Sequence, residues 1–191
     1  MTKRGESIVN KFEEKTVNTN KIYEGRIIDV EVDDVTLPNG KASKRELVRH
    51  PGAVAVIALT DEGNIVMVEQ YRKALGKSII EIPAGKLEDG ESPEVTAARE
   101  LEEETGYQAA SLDFVVSYYT SPGFADEIIY IYKAEGLRIV EEQRQMDEDE
   151  FVDLKEISLE EALSLIEQER IHDAKTIHAI YYLMYQSLKG E

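Results

Sequence analysis

The chain has 191 residues, of which 42% are hydrophobic, so it can bury one sizeable core, either alone or with a small appended subdomain. Its formal net charge of −17 argues against binding to nucleic acid or to anionic membranes, because both attract basic protein surfaces. The absence of cysteine excludes disulfides, thiolate zinc sites and cysteine nucleophiles and suits a reducing compartment, so we expect a cytoplasmic protein.

The first fifty residues have the pattern of an antiparallel β-hairpin subdomain. We predict one extended segment at residues 22–36, a turn at residues 38–40 and a returning strand at residues 43–50. Proline and glycine at positions 51 and 52 are typical of a boundary. The sequence therefore predicts an N-terminal β-strand subdomain at residues 1–50 and a main domain at residues 51–191.

The main domain begins with two β-rich runs, at residues 53–59 and 65–70. The turn-forming residues 61–64 lie between them and predict a second hairpin. Further short strands are predicted at residues 79–82, 114–119, 127–134 and 151–154.

The first predicted helix occupies residues 93–105. Ser92 is a suitable N-cap, and Pro93 suits the first helical position because that residue needs no hydrogen-bond donor. Gly106 is a natural stop, since glycine adopts the left-handed conformation that ends many helices.

Two more helices follow near the C-terminus. Ser158 and Glu161 form a capping box that opens a helix ending near residue 170. Asp173 caps a third helix, which runs from residue 174 to about residue 189. Strands interspersed with a few helices predict an α/β or α+β protein with a mixed sheet covered on both faces.

Apolar and acidic residues lie on different faces of the first helix. At about 100° per residue, one apolar stripe contains Ala97, Ala98 and Leu101. Glu100, Glu103 and Glu104 share a second face, and Glu102 points away from them. The acidic face has two interpretations: a solvated surface, or a site for hard cations that prefer carboxylate oxygens.

The wider sequence frame favours the cation site. It consists of Gly85, five residues, Glu91, seven residues, Arg99-Glu100-Leu101, one residue, Glu103-Glu104, one residue and Gly106-Tyr107. This frame resembles, without a gap, the signature of the Nudix hydrolases. The resemblance implies the Nudix fold, in which a mixed β-sheet is sandwiched between helices.

The resemblance also implies roles for the residues of the frame. Glu100 and Glu104 are implied to be direct Mg²⁺ ligands, with Glu103 binding metal directly or through its neighbours and the Ala84 carbonyl completing a site. Arg99 is implied to orient Glu103, and Glu91 to hold the loop. Two or three Mg²⁺ ions, for which Mn²⁺ is a candidate replacement, would neutralise a diphosphate and activate a water molecule.

Three further segments resemble the ADP-ribose pyrophosphatase branch of this family. Pro122, followed by Gly123, lies sixteen positions beyond Gly106, where that branch carries a proline. Arg72 lies where the branch has an arginine that binds a substrate phosphate, a task that suits its forked donors. The acidic residues 147–150 match a loop in which Glu148 activates water and Glu150 reaches metal, although the two roles are interchangeable.

The N-terminal subdomain also resembles that branch, in which it exchanges between the subunits of a homodimer and helps to enclose the adenine. Ile27 or Ile28 lies where an aromatic stacking residue is often found, so this sequence departs from the pattern there. Tyr23, Arg45 and Arg49 are candidate substitutes for the base contact.

The implied function is Mg²⁺-dependent hydrolysis of ADP-ribose to AMP and ribose 5-phosphate, with a small-molecule nucleoside diphosphate as the partner. One alternative is another nucleoside diphosphate sugar, such as GDP-mannose. A second is a non-catalytic ADP-ribose sensor, which we disfavour because every acid of the signature is present.

Overall fold

The computed structural model describes residues 10–140 and 151–190. These residues form two compact units. The first contains the described residues up to His50 together with Ser121–Glu127, and the second contains Pro51–Thr120 and the described residues from Ile128 onward.

The first unit contains the strands β1 (Lys15–Glu24), β2 (Asp29–Thr36) and β3 (Ala42–Arg49). They form a three-stranded antiparallel sheet in the order β1-β2-β3. The predicted turn joins β2 to β3, and Gly40 has a φ of 79°, which glycine adopts without steric cost.

The single extended segment predicted at residues 22–36 is wrong. It contains the end of β1, a reversal at residues 25–28 and the whole of β2. The Gly25 amide closes this reversal by donating to the Ile28 carbonyl at 3.1 Å and to Asp29 Oδ1 at 3.3 Å. All ten residues of β1 are exposed and most are polar, so β1 lacks the alternation of apolar and polar residues that predicts a strand.

Residues 121–127 pack on β3. The Val48 amide donates to the Phe124 carbonyl at 2.8 Å, and the Asp126 amide donates to the Val48 carbonyl at 3.2 Å. The Asp126 carboxylate also accepts from the His50 amide at 2.9 Å. These bonds explain why a segment from the middle of the chain groups with the N-terminal strands.

The second unit has two larger sheets, a short pair of two-residue strands and three helices. Its elements are β4 (Ala53–Ala58), β5 (Ile65–Arg72), β6 (Lys77–Glu81), β7 (Ala84–Lys86), α1 (Pro93–Thr105), β8 (Tyr107–Gln108), β9 (Ser111–Tyr119), β10 (Ile128–Glu135), β11 (Arg138–Ile139), β12 (Val152–Ile157), α2 (Leu159–Glu167) and α3 (Ala174–Lys189). One larger sheet has the order β7-β4-β10-β9, in which only β4 and β10 are parallel, and the other is antiparallel in the order β12-β5-β6. The predicted mixed α/β architecture is confirmed.

The second hairpin predicted for residues 53–70 is wrong. Strands β4 and β5 belong to different sheets and share only an isolated bridge between Leu59 and Ile65. The turn itself forms, because the Thr60 amide donates to the Asn64 carbonyl at 2.9 Å. Strand β4 pairs instead with β7 and β10, and β5 pairs with β12 and with β6, which follows it in the chain. The turn between β4 and β5 carries no information about those partners.

Strand β4 separates two hydrophobic clusters because its side chains alternate between its two faces. Val54, Val56 and Ala58 pack with Ala97 and Leu101 of α1. Ala55 and Ile57 pack on the opposite face with α2 and α3 residues, namely Ala162, Ala179, Ile180 and Leu183.

Two helix details differ from the prediction. Ala98 is predicted to share the apolar stripe of Ala97 and Leu101, but it is exposed whereas those two residues are buried. Helix α2 ends at Glu167, before the predicted residue 170, and Glu169 follows with a φ of 55°. No helix in the described ranges is long and apolar enough to span a bilayer.

Candidate active site

Helix α1 carries the acidic residues of the signature between two well-formed caps. Ser92 Oγ accepts from the Val95 amide at 3.4 Å, and Pro93 begins the helix as predicted. At the other end Gly106 has a φ of 72°, and its amide donates to the Glu102 carbonyl at 2.8 Å. Both ends of the helix are therefore fixed by local chemistry.

Strand β7 lies against the acidic face of α1. A Cβ atom added to Gly85 would lie 1.9 Å from the Glu100 Cδ and Oε1 atoms, so only glycine admits this carboxylate. The neighbouring Ala84 amide donates to Glu104 Oε2 at 2.9 Å. The strand thereby holds the buried carboxylates of Glu100 and Glu104 beside its backbone.

Arg99 connects the remaining acids of the signature. Its Nη1 atom donates to Glu100 Oε1 and to Glu103 Oε2, both at 2.8 Å, and its Nη2 atom donates to Glu91 Oε2 at 3.3 Å. Burial opposes the charge of Arg99, but the charges of Glu100 and Glu103 outweigh it and raise the pKa of the guanidinium. Arg99 is therefore a permanent cation among carboxylates.

Glu91 joins the loop to the start of α1. Its Oε2 atom accepts from the Thr96 hydroxyl at 2.9 Å in addition to its contact with Arg99. Thr96 is fully buried, so this hydrogen bond ties the loop to the body of the unit.

Glu91, Glu100, Glu103 and Glu104 outnumber the single guanidinium of Arg99, which leaves a local charge of about −3. Concentrated carboxylate oxygens attract hard divalent cations, and each carboxylate can accept several contacts at once. In the described part of the chain, however, no three acidic or histidine side chains already converge on one point as metal ligands do. Arg99 and the Ala84 amide orient the carboxylate oxygens in this arrangement.

Arg72 lies at the end of β5 in the same unit. Its Nε atom donates to Glu81 Oε2 at 2.6 Å, and its Nη2 atom donates to Glu81 Oε1 at 3.1 Å. Burial opposes the charge of Arg72, but Glu81 outweighs it and, with smaller contributions from Glu104 and Asp173, raises the pKa of the guanidinium. Because Glu104 lies on the acidic face of α1, the charge of Arg72 interacts with that face.

Two buried residues behind Arg72, Glu81 and Lys175, were not singled out as functional by the sequence. Glu81 lies in the apolar run Ile79-Ile80-Glu81-Ile82, where a charged residue is itself a sign of a specific partner. Lys175 on α3 is the second cationic partner of Glu81, and its Nζ atom donates to Glu81 Oε1. Lys175 carries no local signal of this kind, because it follows an ordinary helix cap.

The other predicted binding residues lie in the first unit. The Arg45 guanidinium donates to both Glu14 oxygens, at 2.6 and 2.5 Å, and Arg49 contacts Glu31 Oε1 at 2.5 Å and Asp126 Oδ2 at 3.2 Å. Ile28 is half-buried in the β1-β2 reversal. Pro122 and Gly123 form an exposed turn, which is closed by the Ala125 amide donating to the Ser121 carbonyl at 2.9 Å.

The two acids predicted to activate water and to reach metal, Glu148 and Glu150, lie outside the described residues. The site as described therefore comprises the acidic face of α1, strand β7 and Arg72.

The chain is similar to known families and proteins over most of its length. A NUDIX domain model matches residues 48–180, and a model for the N-terminal domain of nucleoside diphosphate sugar hydrolases matches residues 14–48. An ADP-ribose pyrophosphatase of Bacillus subtilis is 60% identical, over 90% of this chain and 93% of that protein. A methanol dehydrogenase activator of Bacillus methanolicus is 62% identical, over 92% of this chain and 95% of that protein.

A solved structure described as an ADP compounds hydrolase superposes with a TM-score of 0.80 and covers 93% of this chain and 95% of its own. At 23% identity, that likeness shows the fold alone. The domain match covers most of the chain and contains the whole of the site around Gly85 and α1, and from this we conclude that the chain belongs to the Nudix hydrolase family.

Proposed function

We propose that this protein hydrolyses the phosphoanhydride bond of ADP-ribose and releases AMP and ribose 5-phosphate. The observation that carries the proposal is the packing of the Glu100 and Glu104 carboxylates against the β7 backbone, beside the arginine-bound Glu103. The ADP-ribose pyrophosphatase that is 60% identical to this chain supports the choice of substrate.

In the proposed mechanism, Glu100, Glu104 and the Ala84 carbonyl would hold Mg²⁺, with Glu103 in support. The donor set fits, because Mg²⁺ prefers carboxylate and carbonyl oxygens. When bound, two or three Mg²⁺ ions, or Mn²⁺ in their place, supply charge neutralisation and an acidic water ligand.

The protein's own groups bind and orient the substrate. Arg72 binds a phosphate of the substrate through donors that Glu81 leaves available, and Arg99 keeps Glu103 oriented. We propose that Glu148 removes the proton from the attacking water and that Glu150 contributes to metal binding, or the reverse. Water adds to one phosphorus while the bridging oxygen leaves with the other phosphate, so that one P–O bond forms and one breaks.

A substrate panel tests this function. The purified protein with Mg²⁺ is incubated with ADP-ribose, GDP-mannose and other nucleoside diphosphate compounds, and the products are separated and identified. We expect AMP to be released from ADP-ribose well ahead of any cleavage of a GDP-sugar. Preferential cleavage of GDP-mannose would replace the proposed substrate, and tight binding of ADP-ribose without turnover would favour a sensor.

The metal assignment is tested by Glu104→Gln. The variant keeps the side-chain volume and an oxygen that can accept from the Ala84 amide but lacks the negative charge that attracts Mg²⁺. We expect turnover to be lost while the circular dichroism spectrum stays unchanged. Full activity in this variant would remove Glu104 from the metal site.

We also propose a homodimer in which the N-terminal unit takes part in the interface and contributes base contacts through Ile28, Arg45 or Arg49. The support is β1, an exposed strand at the edge of its sheet that presents Val17, Ile22 and Tyr23 to solvent. Sedimentation of the wild type and of Val17→Lys/Ile22→Lys tests this interface. The control is Leu188→Lys on α3, which is at least as exposed, and a wild-type monomer would contradict the proposal.

A second candidate function is activation of a methanol dehydrogenase, which is favoured by the 62% identical relative of that name. The test measures the methanol dehydrogenase rate with and without this protein, and compares wild type with Glu104→Gln. Stimulation by the wild type alone would link activation to hydrolysis. No stimulation would remove this candidate.

The proposed location is the cytoplasm, which is supported by a chain of 191 residues without a cysteine. Cell fractionation with detection of the native protein tests this proposal. Recovery in the membrane or extracellular fraction would contradict it.

A further inference from the structure

Arg72 is bound along one edge of its guanidinium and open along another. Glu81 lies opposite Val68 on the paired strand, so the Arg72 side chain extends back along β5 to reach it. The Nε and Nη2 atoms of Arg72 donate to the two Glu81 oxygens. Within residues 10–140 and 151–190 no hydrogen bond involves Nη1, and 40% of the side chain is exposed.

Lys175 is the second cation on the same carboxylate. Its Nζ atom donates to Glu81 Oε1, the oxygen that also accepts from Arg72 Nη2. The Glu81 side chain is 3% exposed and that of Lys175 is 10% exposed, so both charges are removed from water. A buried charge is costly without partners, which makes this bridge between two cations a specific arrangement.

The position of Lys175 is fixed from two directions. Lys175 Nζ donates to Asp173 Oδ1 at 2.9 Å, and Asp173 also caps α3 by accepting from the Thr176 amide at 3.1 Å. Thr176 Oγ1 in turn accepts from the Ile82 amide at 3.1 Å, directly after the strand that carries Glu81. The start of α3 and the end of β6 are therefore locked together around the lysine.

Arg72, Glu81, Lys175 and Asp173 contact one another in that order, so positive and negative side chains alternate. A pair of Arg72 and Glu81 alone would be neutral and would attract a phosphate weakly. Lys175 takes up part of the negative charge of Glu81, so the guanidinium of Arg72 is less compensated than in an isolated pair, although the four residues with Asp173 carry no net charge. Asp173 balances Lys175 from behind, where the α3 N-terminus stabilises its carboxylate.

We propose that Lys175 is a positioning residue, which through Glu81 orients the Arg72 guanidinium and preserves its positive charge for a phosphate of the substrate. This inference rests on the proposed binding of a diphosphate by Arg72. It adds Lys175 and Glu81, neither of which contacts substrate in this account, to the residues that determine substrate affinity.

The experiment compares the steady-state kinetics of Lys175→Met with those of the wild type, with ADP-ribose and saturating Mg²⁺. We expect KM to rise about tenfold or more and kcat to change by less than about threefold, because Arg72 binds the phosphate equally in the ground and transition states. The matched control is Lys155→Met, since Lys155 also bridges two carboxylates, those of Asp153 and Glu69, in the same unit. The Lys155→Met control should have the KM and kcat of the wild type.

A double-mutant comparison separates this role from general stability. In an Arg72→Ala background, Lys175→Met should produce little further rise in KM, because the lysine acts through the arginine. Lys175→Gln keeps a hydrogen-bond donor near Glu81 but removes the charge. It should also raise KM, and it carries the test if the methionine variant does not fold.

Three results would overturn the inference: an unchanged KM in Lys175→Gln, an unchanged KM in Arg72→Ala, or an equal rise in KM with and without Arg72. Failure of the proposed function has a different signature, namely a wild type that does not cleave ADP-ribose. The same variants are then compared on whichever nucleoside diphosphate the wild type cleaves, since each of these compounds presents phosphates to Arg72.

Discussion

At Gly85 the absence of one atom, the Cβ atom, determines how closely β7 and α1 can pack. The Glu100 carboxylate occupies the volume that a Cβ atom would fill. The constraint is steric, since Gly85 is not among the glycines with positive φ. Glycine is therefore required at this position for close packing between β7 and α1.

We expect Gly85→Ala to abolish hydrolysis while the protein still folds. The added methyl group must push the Glu100 carboxylate away from β7 and so separate it from Glu104. The measurement is kcat/KM for ADP-ribose together with a thermal melt. Gly76→Ala is a stringent control, because Gly76 has a positive φ but open space around it. Wild-type activity in Gly85→Ala would contradict the packing argument.

Tyr118 is a half-buried tyrosine with a buried hydroxyl, and it lies outside the proposed mechanism. Its hydroxyl has no hydrogen-bond partner among the described residues, and its ring packs on His178 with the centroids 5.4 Å apart. Burial, with a smaller contribution from the charge of Asp173, raises the pKa of this hydroxyl to about 12.

We expect Tyr118→Phe to make stability less sensitive to alkaline pH. The raised pKa means that the folded state binds the phenol proton more tightly than the unfolded chain does, whose pKa is about 10. This stabilisation is complete below about pH 10 and is lost as the pH rises towards 12. The measurement is the melting temperature of the wild type and of Tyr118→Phe at about pH 8 and pH 11. An equal fall in melting temperature in both proteins would contradict the expectation.

At the scale of elements, α1 is the best-defined segment because all of its boundary signals are local. Ser92, Pro93 and Gly106 lie within one helix and its caps, and the structure begins and ends α1 as the sequence predicts. Glu102 is a partial exception. It points away from the other acids as predicted, yet it is buried and accepts from Gln108 Nε2 at 2.8 Å.

We expect Gly106→Ala to lower the free energy of unfolding by about 1 kcal/mol, because alanine is strained at a φ of 72°. Gly106→Asn should cost less, since asparagine tolerates the left-handed conformation better. Urea denaturation of the wild type, Gly106→Ala and Gly106→Asn measures the order of their free energies of unfolding. Equal stabilities would show that the backbone relaxes at this cap.

At the scale of the whole molecule, the formal charge of −17 has to be reconciled with an anionic substrate. Divalent cations at the acidic face of α1 and the partly exposed guanidinium of Arg72 are the two features that would make phosphate binding favourable. Both lie in the second unit, which also contains most of the NUDIX match.

We expect Mg²⁺ to raise the melting temperature by more than NaCl of equal ionic strength does. Any salt screens the repulsion within an acidic protein, but only a bound ion stabilises the folded state through its site. Glu104→Gln should remove the difference between the two salts, and EDTA should abolish hydrolysis in the wild type. Identical melting curves in the two salts would contradict metal binding by the free enzyme.

The sequence alone determined the features that depend on neighbouring residues: the bounds and caps of α1, the common face of Glu100, Glu103 and Glu104, and the signature of the family. Helical periodicity and capping act within a few positions, so a local pattern carries them. Apart from the β2-β3 hairpin, whose turn the sequence predicts, only the tertiary structure decided which strands pair, and it separated β4 from β5. It alone brought Lys175 to Glu81 across 94 positions, because no local pattern encodes a contact between segments so distant in the chain.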